Sequence, residues 1–353
     1  MKILHTADIH LKKYKDERWQ TLEKLIESGK EEKIDCFIIS GDLFDQGAEA
    51  ERLRPKIREI FTNSGFKFLL IPGNHDIDSF QEGSYFGEDI VVINDFLVPY
   101  IFGDVVFWGM PFEHVYGDEI LSRLYMIEKN INKEKHNILL FHGEMTDGFF
   151  SRTDFGEEGE SRYMPVKLNY FQDIGFEYIL AGHFHTKFTI WSIPNKGFFV
   201  YPGSPISITK KETGQRKVNI FEVGAPPKEY LVNSPFYEDI DIEFDPFMTF
   251  KPIELVQEKL TNLNPNAKVI LNIKGYLDRE KVGSSESDIV RQINEIVGSK
   301  CVEKHIAFKD IRDFLEDDLF KAFLLKLEER NFDEEKKKQM MEMALSAFIE
   351  AKK

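Results

Sequence analysis

The sequence predicts an α/β protein in three parts: a layered sheet-and-helix domain, a small α+β module, and a closing pair of amphipathic helices. Three observations carry this. Short apolar runs alternate with segments of helical period through the first half, and later strand candidates crowd together with no helix between them. The pattern then breaks at Val223-Gly224-Ala225-Pro226-Pro227 and restarts as shorter elements, so a linker is expected there.

Ile3-Leu4-His5-Thr6-Ala7 reads as the first strand, and Trp19, Leu22 and Ile26 recur at helical spacing behind it. Cys36-Phe37-Ile38-Ile39 is a second strand, Leu53, Ile57, Ile60 and Phe61 mark a second helix, and Phe68-Leu69-Leu70-Ile71 is a third strand. That second helix belongs either to the core or to a self-association surface. Further strands are expected at Asp89 to Ile93, Val105 to Trp108, Asn137 to Phe141, Tyr178 to Ala181, Phe188 to Ile193 and Phe198 to Tyr201, the crowded later ones adding antiparallel partners. In the second module Asp239 to Phe244, Lys268 to Ile273 and Cys301 to Phe308 read as strands, with helices at Ile253 to Leu260 and Ile289 to Ile296. Beyond it, Leu315, Leu319, Phe320, Phe323, Leu324 and Leu327 form one helical face. Asn331-Phe332-Asp333-Glu334 caps a last helix carrying Met341, Leu345 and Phe348. The expected domains are residues 1–224, 235–308 and 314–353.

A chain of 353 residues fits about two domains at roughly 150 residues each. With 42% hydrophobic residues and 32 Phe it can build full cores, which argues against disorder. Lys plus Arg number 46 against 61 Asp plus Glu, and the formal charge of -15 counts against coating nucleic acid by bulk attraction. Cys36 and Cys301 sit in apolar stretches and are expected as reduced core residues. The opening residues lack a signal-peptide apolar region, and no uncharged apolar run approaches the ~20 residues that span a bilayer. A soluble, cytoplasmic protein without a membrane partner is expected.

Five motifs place hard metal-binding side chains just after strand ends: Asp8-Ile9-His10, Gly41-Asp42-Leu43-Phe44-Asp45, Gly73-Asn74-His75-Asp76, Phe141-His142-Gly143 and Gly182-His183-Phe184-His185. Parallel strands deliver such loops to one sheet edge. Glycine before Asp42, Asn74 and His183 is expected to allow a sharp turn toward a shared centre. Each motif alone has a plain structural reading, a strand-end Asp as a cap or His142 as a buried core histidine; the ordered set of five does not. Two divalent ions roughly 3.5–4 Å apart clamp a phosphate and activate a water, and need a bridging carboxylate with several neutral or anionic donors. Mixed carboxylate, imidazole and amide donors favour manganese, iron or zinc over magnesium and offer no thiolate for a structural zinc. Phosphoester hydrolysis is the reaction class.

The motif order, Asp-x-His, Gly-Asp-x-x-Asp, Gly-Asn-His-Asp, His-Gly and Gly-His-x-His, resembles the calcineurin-like metallophosphoesterases over roughly the first 220 residues. Within them the chain is most similar to the double-strand-break repair nucleases of the SbcD and Mre-eleven family. The matching stretches are Lys2 to Leu11, Ser40 to Asp45, Ile71 to Asp76, and Tyr201-Pro202-Gly203-Ser204-Pro205. The resemblance implies a β-sandwich flanked by helices and two divalent ions, manganese foremost, in a duplex-end exonuclease and single-strand endonuclease. It implies one ion held by Asp8, His10, Asp42 and His185, and the other by Asp42, Asn74, His142 and His183. By the same likeness His75 faces the scissile phosphate, and Asp45 sits where related phosphatases place the carboxylate that orients this histidine. Many archaeal and eukaryotic members resemble Gly-Asp-x-x-His instead, so this chain follows the bacterial pattern.

The resemblance further implies a DNA-capping module, helices that dock on an SbcC or Rad-fifty type ABC ATPase, a homodimer, and a heterotetramer with that partner. Phe320, Phe323, Leu324, Leu327, Leu345 and Phe348 are the candidate partner contacts, the alternative being that both helices pack on their own domain. Lys12, Lys13, Lys15, Arg152, Arg162, Lys210, Lys211, Arg216 and Lys217 border the motifs and are candidates to hold DNA phosphates. A phosphatase or small-molecule phosphodiesterase is the first alternative, against which stand Gln46-Gly47 where protein phosphatases carry Arg-Gly, and some 130 further residues. A non-catalytic scaffold is the second; scaffolds tend to lose ligands, and all seven are present.

Overall fold

The computed structural model describes residues 1–80, 83–147, 163–194, 196–246, 251–311 and 317–351. Arg152, Arg162 and Leu315 lie outside them. The chain forms two compact units, Met1–Tyr237 and Glu238–Lys353.

The first unit holds two six-stranded sheets. In order, one contains β12 (Glu229–Leu231), β11 (Lys217–Glu222), β1 (Lys2–Thr6), β2 (Cys36–Ser40), β3 (Lys67–Ile71) and β4 (Ile90–Val92). The other contains β5 (Tyr100–Phe102), β6 (Val105–Met110), β7 (His136–His142), β8 (Tyr178–Gly182), β10 (Phe198–Tyr201) and β9 (Thr189–Ser192). Each has four parallel strands, β1 to β4 or β6-β7-β8-β10, with antiparallel strands at its margins. Ile3, Ile38, Leu69 and Ile71 meet Phe107, Ile138, Leu140, Leu180 and Val200 between the sheets. The opposite faces bury under α1 (Glu17–Glu31) and α2 (Gly47–Phe61) on one side and α3 (Asp118–Glu128) on the other. Burial on both faces explains the unbroken apolar reading of the central strands.

Helix α1 starts where Asp16 accepts from Trp19 N at 2.9 Å and buries Trp19, Leu22, Leu25 and Ile26. In α2, Leu53, Ile57 and Phe61 are buried, so this helix is core rather than a self-association face. Helix α3, with Ile120, Leu124 and Ile127 inward, has no counterpart among the expected elements, because three apolar anchors among polar residues give a thin stripe. The expected linker at Val223 to Pro227 is instead the turn of the β11–β12 hairpin, since Gly and Pro punctuate hairpins and linkers alike. The units divide after Tyr237, inside β13 (Phe236–Phe244).

The second unit is a three-stranded sheet, β13, β14 (Ala267–Leu277) and β15 (Cys301–Asp310), its apolar face packed with α4 (Pro252–Thr261) and α6 (Glu286–Val297), the short α5 (Arg279–Val282) lying between. Helices α7 (Asp318–Glu328) and α8 (Glu334–Ala351) follow. Phe320 and Leu345 are buried in a cluster with Ile311, against which Phe323, Leu324 and Phe348 also pack, and Leu327 is buried as well. The stripe closes α7 on α8 because two amphipathic helices on a short loop satisfy each other first. Among the described side chains, the large apolar ones left exposed on these helices are Leu319, Leu325 and Met343. Among the described residues no helix is long and apolar enough to cross a membrane.

Candidate metal centre

The five motifs leave the carboxyl ends of parallel strands from both sheets. Asp8 and His10 follow β1, Asp42 follows β2, Asn74 and His75 follow β3, His142 ends β7, and His183 and His185 follow β8. The first two loops are laced together: Asp8 N donates to Gly41 O at 3.1 Å, Ile9 N and His10 N to Asp42 O at 2.9 and 3.0 Å, and Leu11 N to Leu43 O at 2.9 Å. Between the sheets, Ser40 Oγ donates to Leu180 O at 2.8 Å.

Backbone strain concentrates here. Asp8, His10, Asp42 and His183 hold φ of 55°, 51°, 51° and 96°, a conformation costing non-glycine residues about 1–3 kcal/mol each and kept where function over-determines it. Of the three glycines expected to turn the chain, only Gly41 does, at φ 92°. Gly73 and Gly182 are needed for closeness. A Cβ on Gly73 would lie 2.1 Å from Asp42 Oδ1, and one on Gly182 2.0 Å from Ser40 O.

Asp8, His10, Asp42 and His185 form one buried cluster, each offering a ligand atom within 4.8 Å of the others. His10 Nε2 and His185 Nε2 stand 3.3 Å apart, His185 Nε2 lies 3.9 Å from Asp8 Oδ1, and His10 Nε2 lies 3.8 Å from Asp42 Oδ2. On the other side of Asp42, His142 Nε2 is 3.4 Å from Oδ2 and 2.9 Å from Asn74 Oδ1. The His183 ring centroid is 5.5 Å from that of His142. The backbone N–H of His183 donates to both Asp8 oxygens, at 2.9 and 3.1 Å, and His75 N donates to Asp42 Oδ1 at 2.9 Å.

The imidazoles are held from behind. His142 Nδ1 donates to Ser40 O at 2.8 Å, and His75 Nδ1 donates to Asp45 O at 3.0 Å; a carbonyl only accepts, so these contacts fix the tautomers. His185 Nδ1 lies 3.5 Å from Glu212 Oε1, and His10 Nδ1 lies 3.8 Å from Asp45 Oδ1. Asp45 thus meets His75 through its carbonyl rather than its carboxylate. The carboxylate takes Arg18 at 2.9 Å and Lys12 at 3.2 Å, which, against partial burial, hold it below the usual range.

Electrostatics and donor chemistry both fit divalent cations. Burial, reinforced by Asp42 and opposed by His185 and His142, lifts Asp8 to about 6. Burial works against a charged His142, but Asp42 overrides it and lifts the ring to about 10. Burial likewise disfavours charge on Asp42, which His142, His10 and His75 nonetheless hold well below the carboxylate range. The metal-free site keeps protons where a cation would supply the charge, and cation entry would release them. Carboxylate, imidazole and amide oxygen without thiolate suit manganese, iron or zinc.

Several residues brace the site that sit inside quoted stretches of the sequence but had no role expected for them. Buried Asp76 accepts from Gly73 N at 2.6 Å, Leu43 N at 2.7 Å and Phe44 N at 3.2 Å, joining the second and third loops. Tyr201 Oη donates to Gly143 O at 2.5 Å and accepts from Met145 N at 3.0 Å, and Ser204 Oγ donates to Asp8 O at 2.9 Å. The Tyr-Pro-Gly-Ser stretch is therefore a strut between loops. Among the phosphate candidates, Lys12, Lys13, Lys210 and Lys211 are exposed, Lys12 on its ion pair with Asp45. Arg216 is not a phosphate contact: it is 3% exposed and donates to the carbonyls of Ser204, Thr186 and His185. Lys217 pairs with Glu229 at 2.6 Å.

The calcineurin-like phosphoesterase family profile matches residues 1–187. The chain belongs to this family. As a calcineurin-like phosphoesterase it is a metal-dependent phosphodiesterase, and all seven donors fall inside the matched region. It is 25% identical to the SbcD component of the SbcCD nuclease of Staphylococcus saprophyticus over 293 residues, 73% of this chain and 72% of that one. It is 24% identical to the DNA double-strand break repair protein Mre11 of Saccharolobus solfataricus over 334 residues, 88% of this chain and 78% of that one. A solved 5'-nucleotidase precursor from Thermus thermophilus is 13% identical at a TM-score of 0.39, covering 66% of this chain and 54% of that one. The phosphoesterase thus spans about half of that structure.

Proposed function

We propose that this phosphoesterase is a manganese-dependent DNA nuclease of double-strand-break repair, an exonuclease on duplex ends and an endonuclease on single strands. One observation carries the reading: Asp8, His10, Asp42 and His185 form a single buried cluster, at an edge that also collects Asn74, His142 and His183. The similarity to SbcD and Mre11 nucleases along most of both chains supports the substrate. Asp8, His10, Asp42 and His185 would hold one ion and Asp42, Asn74, His142 and His183 the other, with Asp42 as the bridge. When bound, the ions supply charge for the phosphate and a water of lowered pKa.

The chain's own residues do the rest. With Nδ1 tied to Asp45 O, His75 presents Nε2 to the scissile phosphate, to steady its charge or to protonate the leaving oxygen. Asp45 holds Arg18 and Lys12 beside His10, and Lys12, Lys13, Lys210 and Lys211 meet phosphates on either side of the cut. Residues 235–308 cap the DNA. The helical pair binds an SbcC or Rad-fifty type ABC ATPase through Leu319, Leu325 and Met343, in a cytoplasmic heterotetramer built on a homodimer of this chain.

Purified chain with manganese and linear duplex DNA is the test. Nucleotide release is expected, and Asp8→Ala or His75→Ala should abolish it. Hydrolysis of phosphoproteins or cyclic nucleotides with intact DNA would reassign the substrate. Metal content well below one equivalent per chain would reassign the protein as a scaffold.

A further inference from the structure

The segment after the Tyr-Pro-Gly-Ser strut ends in a carboxylate that the proposed reaction does not use. Glu212 is 0% exposed. Its Oε2 accepts from Ile208 N at 2.7 Å, and its Oε1 accepts from Thr209 N and Thr209 Oγ1, both at 3.2 Å. A buried carboxylate needs such donors to be tolerated at all. The same Oε1 faces His185 Nδ1 at 3.5 Å, while the other ring nitrogen, Nε2, points into the cluster, 3.3 Å from His10 Nε2. Four residues on, Arg216 grips the backbone of the same histidine by donating to His185 O. One short segment therefore fixes both the ring and the main chain of His185.

The rings of His185, His10 and His142 differ in this support. His185 and His10 each have a carboxylate behind Nδ1, from Glu212 and Asp45, whereas His142 leans on the neutral Ser40 carbonyl. A carboxylate behind a ligating imidazole fixes the tautomer and raises ligand basicity. Resting on the two-metal reading above, we infer that Glu212 is a positioning residue for His185, aiming Nε2 at the metal and making the Asp8, His10, Asp42 and His185 site the tighter of the two.

Isothermal titration of the EDTA-stripped full chain with Mn2+ alone tests this. The wild type should bind in two steps. Glu212→Gln, which keeps the shape and removes the charge, should weaken the tighter step by about 10–100-fold and leave the weaker one in place. Glu212→Asp, which keeps the charge with a shorter reach, should restore part of the loss. Thermal melts of the metal-free variants accompany the titration. Unchanged affinities, or equal weakening of both steps, would overturn the inference, as would collapse of the metal-free fold in both variants, which would make Glu212 purely architectural. A wild type that takes up no Mn2+ would instead overturn the two-metal reading, and this inference with it.

Discussion

Gly182→Ala puts the architecture of the centre under direct load. The added methyl would sit 2.0 Å from Ser40 O, 2.7 Å from Ala7 Cβ and 3.0 Å from His142 Nδ1. Ordinary non-bonded separation is about 3.5 Å, so β8 and β2 must part by roughly an ångström or more. No flexible side chain can yield, because the nearest obstacle is a backbone carbonyl. That carbonyl also accepts from His142 Nδ1 at 2.8 Å, Ala7 precedes Asp8, and Gly182 precedes His183, so three ligand-bearing segments shift together. Overpacking of a rigid core costs about 1–3 kcal/mol, and the upper end applies here. For a unit of this size that is a Tm drop of about 6–12 °C. A misplacement of about 1 Å at reacting groups costs about 100-fold in rate.

Differential scanning calorimetry and Mn2+-dependent hydrolysis of a simple phosphodiester give the two readouts. Gly47→Ala is the control: at the start of α2 its nearest atom would be Ser79 Oγ at 4.0 Å, so Ala should stabilise by about 0.4–1 kcal/mol with an unchanged rate. A Gly182→Ala protein with wild-type Tm, metal content and rate would refute the claim that the sheets are pressed together to form the site.

Tyr201→Phe strands the Met145 N–H and the Gly143 carbonyl in a buried place, and calorimetry should show a loss of about 1–3 kcal/mol. In EDTA, Tm should fall between pH 6.5 and 9. His142 is raised from 6.5 to about 10, so its stabilisation is complete below pH 6.5 and is lost as pH rises through the folded value. His5, which burial holds near 3, is neutral in the fold but still titrates near 6.5 when unfolded, so it opposes the trend at the lower edge of the window and has no effect toward pH 9. Mn2+ under argon should flatten the profile, and a flat profile in EDTA would contradict the proton-for-cation picture. At the far end of the chain, Phe320→Ala should cost about 3–5 kcal/mol in the second unit. Leu319→Glu with Leu325→Glu should leave its melt within about 0.5 kcal/mol while removing co-purification with the proposed ATPase.

Much of the first unit is legible in the sequence because its central strands are buried on both faces and its ligands follow strand ends, two signals that are local along the chain. The motif residues come together for the same reason: parallel strands send every carboxyl-end loop to one edge. What is not legible depends on which of two chemically equal atoms or faces is used. Asp45 holds His75 with its carbonyl and Lys12 with its carboxylate, and composition cannot separate the two. Glu212 lies 27 residues after His185, and only the fold reveals that they touch. The helical stripe of Phe320 and Leu327 is apolar as expected, but a stripe does not say whether it meets a neighbour or a partner. Glycine misleads at positions 73 and 182 because close approach and turning both call for the same residue.

The formal charge of -15 takes on a narrower meaning at the level of side chains. Several cations that border the motifs in sequence are committed to internal partners: Arg18 to Asp45, Arg216 to three carbonyls, Lys217 to Glu229. The centre itself holds Asp8 and Asp42 fully buried and would repel a phosphate as long as it lacks cations. The two divalent ions proposed for it would add up to four positive charges at the one place a phosphate must come, where local charge outweighs the distant acidic surface. Metal loading and substrate binding would therefore be coupled through the same carboxylates. On the proposed reading, an acidic chain of this kind would discriminate against phosphates until its centre is charged, and the exposed Lys13, Lys210 and Lys211 would then need only to align the strand.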